Sequence, residues 1–160
     1  RLNGRPPAVP PRILLRLETE KSFDFVYREA ERMAGEFLDS DLGRRCAASR
    51  YRETEFPVIS AVSSGGRNIP VTGQIDLLFE EEDAVWIADF KTDRIARPED
   101  HYGQLAVYKR AVSDIFKKPV RAWLYYLRTG DGKAVEITRE LEKIRLDELA
   151  LAAWLNPPVP

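Results

Sequence analysis

Asp76, Asp89 and Lys91 are the residues of this chain whose types and spacing suit chemistry at a phosphodiester. The run Val85-Trp86-Ile87-Ala88-Asp89-Phe90-Lys91 reads as a strand that is apolar on both faces and ends in two ionised groups. Alternation puts Asp89 and Lys91 on one face, about 7 Å apart along the chain, with Val85 and Ile87. Trp86, Ala88 and Phe90 line the other face. A central strand rarely carries charge without a reason, because desolvating it is costly. The preceding strand contains Gly73-Gln74-Ile75-Asp76-Leu77. A two-residue turn at Glu82-Asp83 would place Glu81 across from Ala84 and Asp76 across from Asp89. Opposed residues on antiparallel strands stand roughly 4.5–5.5 Å apart, and carboxylates that close repel unless a cation lies between them. An all-oxygen site favours Mg²⁺, with Mn²⁺ as a substitute. Such an ion polarises a phosphoryl oxygen and acidifies a bound water. Lys91 could position or deprotonate that water, or stabilise charge developing on the phosphate. Spacing alone leaves a second arrangement open, in which Asp89–Lys91 is a plain ion pair and Asp76 a turn-facing carboxylate.

The elements that must position these groups can be read along the chain. Phe23, Val26, Tyr27, Ala30, Met33, Ala34, Phe37 and Leu38 recur at helical spacing, which predicts a helix over 22–38 with this stripe packed in the core. A shorter helix is expected over 41–49. Strands are expected over 51–62, 68–80 and 84–91. Ser63-Ser64-Gly65-Gly66 reads as a turn, and its glycines are weak evidence for a phosphate cradle because no Lys-Ser/Thr follows. Glu80-Glu81-Glu82-Asp83 reads as a solvated acidic turn. Pro98 suits the first position of a helix running to about Phe116. Strands over 120–128 and 133–138 follow, separated by Thr129-Gly130-Asp131-Gly132, and a closing helix is expected over 141–155. The strand–helix–strand unit in the middle implies a parallel pair, whereas the earlier hairpins are antiparallel. The expected fold is therefore α/β, with a central mixed β-sheet of about five strands flanked by helices.

Bulk composition sets the frame. The 160 residues suffice for one domain with a core. Residues 1–11 are proline-rich and linker-like, 12–155 form the domain, and 156–160 a tail. The chain is 44% hydrophobic and 32% charged, with a formal net charge of −1. That balance does not advertise a nucleic-acid binder, although a carboxylate-rich site offsets a local basic groove. A lone cysteine, Cys46, excludes an internal disulfide and cysteine-based zinc or iron–sulfur centres, and is expected to be a small buried hydrophobe. No apolar run approaches the ~18 residues of a membrane span, and no signal-peptide pattern opens the chain. Arg1 in first place suggests a piece of a longer or processed polypeptide, and a cytoplasmic location is expected.

Three runs carry a resemblance: Gly73-Gln74-Ile75-Asp76-Leu77-Leu78, then Ile87-Ala88-Asp89-Phe90-Lys91-Thr92-Asp93, then Tyr102-Gly103-Gln104-Leu105-Ala106-Val107-Tyr108. Their order and spacing resemble the RecB-type nuclease domain of the PD-(D/E)xK superfamily, whose pattern is G-x-I-D, D-[YF]-K-T and Q-L-x-x-Y. Arg52-Glu53-Thr54-Glu55-Phe56 is similar to the family's R-E-x-P-F, with Glu55 where proline is usual. The strand from Trp123 to Gly130 resembles the one after the family's crossover helix. The likeness spans about Phe37 to Thr138 and is strongest to the C-terminal nuclease domain of AddA-type (UvrD/Rep-like) helicase–nucleases.

The resemblance implies a restriction-endonuclease-like core and a Mg²⁺-dependent deoxyribonuclease, an exonuclease acting in double-strand-break processing and recombinational repair. Asp76, Asp89 and the main-chain carbonyl of Phe90 would hold the metal, Lys91 would be the catalytic lysine, and Glu53 an outer ligand or base-orienting group. Gln104 and Tyr108 would be the supporting Q-x-x-x-Y pair; with His101, the only histidine, they fall on one helical face. Implied partners are DNA, a helicase portion of the same polypeptide and a second subunit. Two features depart from the pattern. The family's upstream G-x-x-x-H motif, whose histidine is a further ligand, is missing before Glu53, and no G-x-x-x-x-G-K-[ST] supplies an ATP site. The first departure keeps an alternative in view: a nuclease-like module that binds DNA or a partner subunit without cutting. A kinase is disfavoured, since no Gly-rich loop accompanies Asp89-Phe90-Lys91. For phosphate contact the candidates are Arg94, Arg97, Lys109, Arg110, Lys117 and Lys118, with Arg94 and Arg97 best placed because they follow the strand that ends at Lys91.

Overall fold

A computed structural model describes residues 20–64, 67–128 and 133–146. The elements are α1 (Glu20–Asp39), α2 (Asp41–Ala48), β1 (Tyr51–Ser64), β2 (Arg67–Glu80), β3 (Val85–Lys91), a 3₁₀ turn (Pro98–His101), α3 (Tyr102–Phe116), β4 (Val120–Tyr126), β5 (Lys133–Glu136) and α4 (Thr138–Leu141). The strands form one sheet in the order β1-β2-β3-β4-β5. Only β3 and β4 run parallel, across the α3 crossover, and the other neighbours are antiparallel. This is the mixed, helix-flanked sheet expected from the sequence. Gly65-Gly66, Thr129 to Gly132 and the stretch from Asp147 onward lie outside the described residues, as do the linker-like first residues.

The sheet buries apolar side chains on both faces. Val85, Ile87 and Leu124 pack with Leu105, Tyr108 and Val112 of α3. On the other face, Trp86, Ala88 and Tyr125 pack with Leu42 and Cys46 of α2, and Phe37 of α1 joins them. Here Phe79, Trp86 and Trp123 form a stacked row across three strands, each neighbouring pair 5.7 Å apart. The Arg45 guanidinium covers Trp86 at 3.8 Å and is held there by the Glu81 carboxylate. Such a cation–π contact contributes on the order of 1 kcal/mol. Cys46 is buried, as its type predicts.

Ser40 joins the first two helices. Its hydroxyl donates to the Phe37 carbonyl and accepts from Gly43 N–H at 3.0 Å, capping α2. Gly43 has to be glycine, since a Cβ there would stand 2.0 Å from the Phe37 carbonyl oxygen.

Some sequence expectations fail locally. The apolar stripe of α1 is not a core stripe along its length. Phe37 packs, but Val26 is 44% and Leu38 49% exposed, and Phe25 beside them is 71% exposed. The helix meets the domain at its C-terminal end, and no described element covers the rest. The helix expected from Pro98 begins as a 3₁₀ turn, with no side-chain cap at Arg97. The last strand ends at Glu136 instead of Thr138, because the Thr138 hydroxyl takes the Ala122 N–H at 3.0 Å and α4 starts there. Of the closing helix expected over 141–155, the first residues are the end of α4 and a tight turn in which Lys143 and Ile144 bond back three residues; Leu146 is helical, and the rest lies outside the described residues.

A reversal runs through β1 and β2. Leu77 and Phe79 face α2, whereas Ile75 and Gly73, also odd-numbered, face α3. Their partners follow, with Phe56 across from Ile75 and Val58 across from Gly73. Alternation is strict in a regular strand, so both chains must kink between these positions. Thr54↔Leu77 and Phe56↔Ile75 pair, but the level between them, Glu55 across from Asp76, does not. Glu55 has a left-handed backbone, φ 56°.

Candidate active site

The β2–β3 hairpin turns at Glu82-Asp83, and Glu81 N–H bonds Ala84 O at 2.9 Å. The ladder runs Glu80↔Val85 to Leu77↔Ala88, where pairing stops. The sequence register, which sets Asp76 opposite Asp89, agrees with the ladder as far as Leu77↔Ala88, and the Asp76–Asp89 level itself does not pair. Asp76 Oδ2 accepts the Phe90 N–H at 2.7 Å, beyond the last ladder pair. In a strand, a residue's N–H and C=O leave the same edge. The Phe90 carbonyl therefore leaves β3 toward Asp76, while the Lys91 carbonyl leaves the opposite edge and accepts from Leu127 N–H at 2.8 Å.

Asp89 is 4% exposed and is the one buried charged side chain among the described residues. Its Oδ2 lies 2.5 Å from Lys91 Nζ in an ion pair without good hydrogen-bond geometry. Burial pushes the Asp89 carboxyl up from its ordinary value. The Lys91 ammonium opposes that shift and the Asp76 carboxylate adds to it. The site thus holds a desolvated carboxylate beside a second carboxylate, with one ammonium to offset both. That is a surplus of negative charge, and it suits a further cation.

The donors present fit a hard divalent ion. The two carboxylates lie near each other and the Phe90 carbonyl leaves β3 on the Asp76 side, and such ions commonly complete their shell with water and phosphate oxygens. Among the described residues, no group of three or more His, Cys, Asp or Glu side chains stands ready to hold a metal. The side-chain set is the two aspartates. His101 has its Nε2 3.8 Å from Asp93 Oδ2. Burial and the nearby Lys91 charge hold its pKa below the usual histidine value.

Gln104 and Tyr108 sit together on α3. The Tyr108 hydroxyl accepts from Gln104 Nε2 at 3.0 Å and from Gln74 N–H at 3.2 Å, so α3 is tied to β2 close to Asp76. Gly73 makes room for this ring, since a Cβ there would stand 2.4 Å from the hydroxyl oxygen. Gly73→Ala should therefore push Tyr108 off β2 and cost about 1–3 kcal/mol. Urea unfolding checks this, and an unchanged midpoint would mean that α3 shifts freely.

Glu53 is not brought to the aspartates. It is exposed, lies across from Leu78, and accepts from the Tyr51 hydroxyl at 2.7 Å. Arg94 and Arg97 lie on the loop after β3, both are exposed, and neither enters an ion pair among the described residues. Lys109 and Lys118 are engaged with Glu142 and Glu80. Sequence reasoning missed Gln74, whose side chain donates to the Glu55 carbonyl at 3.1 Å. The one signal available for this corner was that Glu55 stands where the family pattern usually has proline, which marks a departure without giving its shape.

Two aspartates and a lysine thus come together from adjoining strands, with a glutamine–tyrosine pair on the crossover helix beside them. The chain belongs to the PD-(D/E)XK nuclease superfamily, whose family model matches residues 8–156. It is 35% identical over 132 residues to an ATP-dependent helicase/nuclease subunit of Bacillus mycoides (strain KBAB4), covering 66% of this chain and 11% of that protein. The protein of the same name in Anoxybacillus flavithermus (strain DSM 21510 / WK1) is 31% identical over 102 residues, covering 59% of this chain and 8% of its own length. The chain thus spans about a tenth of the length of these curated relatives. A crystal structure from Eubacterium rectale, provisionally described as an exonuclease, shares the fold with a TM-score of 0.54 at 12% identity, covering 81% of this chain and 52% of that one. No helix among the described residues is long and apolar enough to cross a membrane.

Proposed function

We propose that this chain is the nuclease domain of a larger helicase–nuclease and that it hydrolyses DNA phosphodiester bonds with Mg²⁺, for which Mn²⁺ substitutes. The supporting observation is the buried Asp89 carboxylate, set beside Asp76 and in contact with Lys91. Asp76, Asp89 and the Phe90 carbonyl would hold the ion, which when bound supplies Lewis acidity and an acidified water. Lys91 orients the attacking water and offsets charge building on the phosphate oxygens. Asp76 anchors its own geometry by accepting from Phe90 N–H, and Gln104 and Tyr108 brace β2 from behind. Exonucleolytic action on broken ends, a helicase portion, a further protein partner and a cytoplasmic setting complete the reading, by analogy with the relatives. The test is Mg²⁺-dependent release of nucleotides from linear DNA by the purified chain, and by the longer polypeptide containing it. Failure of both to cut would overturn it.

One observation favours a second reading, a DNA-gripping module that does not cut: the described residues offer two carboxylates and no third acidic or histidine side chain. Salt-dependent DNA affinity with no hydrolysis in either metal would support that reading instead.

Arg94 and Arg97 are proposed to seat the phosphate backbone. Charge-neutral substitution of both should weaken binding across all sequences alike. The slope of log affinity against log salt should become shallower by about 2, one per lost phosphate contact. An unchanged slope would remove these arginines from the interface.

A further inference from the structure

We infer that Glu55 is a positioning residue for Asp76, acting through its left-handed backbone and not through its carboxylate. This rests on the nuclease reading for its purpose, though not for its geometry. Glu55 has φ 56°, a conformation that β-branched residues adopt badly and that the proline usual at this place in the family pattern cannot adopt, so the left-handed shape belongs to this chain. It sits directly across from Asp76, at the one level of the β1–β2 ladder that does not pair. On either side of that level, the faces of both strands exchange. A regular strand would direct the side chain of residue 76 away from the sheet plane, and the β2–β3 ladder would continue. Instead the ladder ends at Leu77↔Ala88, and Asp76 Oδ2 takes the Phe90 N–H. One oxygen of Asp76 is thereby fixed on Phe90 N–H, close enough to Asp89 for its charge to raise that carboxyl.

Two hydrogen bonds hold the kink. Gln74 Nε2 donates to the Glu55 carbonyl at 3.1 Å, and Gln74 N–H donates to the Tyr108 hydroxyl. The Glu55 side chain is exposed and enters none of the ion pairs or side-chain hydrogen bonds of the described residues. What the position demands is a backbone shape. The supporting helix α3 and the edge strand β1 therefore grip the same two residues of β2, Gly73 and Gln74, from opposite sides, and Asp76 is the residue they deliver.

The experiment is a substitution series in this chain: Glu55→Gly, Glu55→Asn, Glu55→Gln and Glu55→Val. Amide hydrogen exchange at Phe90 is read alongside Mn²⁺ affinity and the unfolding midpoint. Glycine and asparagine tolerate the left-handed region, so Phe90 should stay protected and Mn²⁺ affinity should stay within about 2-fold. Valine should lose at least about 10-fold of both, whereas glutamine, which differs from glutamate only in charge, should match the unsubstituted chain. Ranking by charge would overturn the inference, with Gly, Asn, Gln and Val all impaired alike, and so would Val retaining Phe90 protection. A midpoint that falls in Val with Phe90 exchange and Mn²⁺ affinity unchanged assigns Glu55 to stability alone, which also overturns it. Phe90 exchange is read without substrate, so a chain that follows the series yet never cuts DNA sinks the nuclease reading and leaves this one standing.

Discussion

Lys91→Met should lower kcat for Mg²⁺-dependent DNA cleavage by about 10²–10³-fold, the loss typical of removing one electrostatic stabiliser of a transition state, while the chain stays folded. Methionine keeps most of the stem volume, so packing along β3 changes little. What disappears is the ammonium 2.5 Å from Asp89 Oδ2. Its removal has two opposed effects on the carboxylate. Without the opposing charge, Asp89 binds a proton more readily, since burial already pushes it that way. With a divalent ion present, the ion has no ammonium to compete with, so metal-induced stabilisation should persist or grow. The variant should therefore lose turnover without losing the metal. Single-turnover cleavage and a thermal scan with and without Mn²⁺ measure the two separately. Normal cleavage by Lys91→Met would remove this residue from the chemistry.

Asp89→Asn should lose both. In the wild-type chain, a divalent ion at about a hundred times its dissociation constant should add ~2.7 kcal/mol of stability. For a domain of this size that is a rise of roughly 5–10 °C in Tm, and it should be absent in the asparagine variant. The pH dependence without metal has a definite sign. Burial raises the Asp89 carboxyl above its unfolded value, so the native state binds the proton more tightly than the unfolded chain does. This group's contribution to stability therefore falls as pH rises from the ordinary carboxylate range through the raised value. At neutral pH it is a penalty that Lys91 offsets only in part. Asparagine removes the titration, so that part of the pH slope should vanish, and the metal-free variant should be at least as stable as wild type near pH 7. An equal Mn²⁺ shift in both proteins would place the ion elsewhere.

The sequence shows most of the path to this site and hides one turn of it. The Asp89–Lys91 face is legible because β3 is apolar on both sides, so its only charged positions stand out at the strand's end. The β2–β3 register is legible as far as Leu77↔Ala88, one level short of the aspartates, because the Glu82-Asp83 turn is short and counting outward from it leaves little freedom. Three things are not legible. The kink at Glu55 is set by backbone dihedrals, which no pattern of hydrophobicity reports, and an exposed glutamate is an unremarkable residue there. The uncovered stripe of α1 has the periodicity of a core helix, and periodicity states that a face wants cover without saying whether these residues supply it. Glu53 shares its strand with the kink, and its distance from the aspartates depends on which way that strand bends. The seat for Tyr108 was half legible, since Gly73 and Tyr108 each belong to a recognisable motif, but only coordinates put the ring over the glycine.

Along β3, neighbouring residues answer to different masters. Trp86, Ala88 and Phe90 serve the aromatic layer, and Ile87, Asp89 and Lys91 serve the other side. Point changes at either set are felt locally. A single inserted or deleted residue between the Glu82-Asp83 turn and Asp89 would exchange the two sets wholesale, driving aromatic rings into the catalytic edge and charges beneath the Arg45-capped stack. Length variation in this family of chains is therefore expected to be confined to the hairpin tips and the loop after Lys91, with the seven residues Val85–Lys91 inherited as an indivisible block.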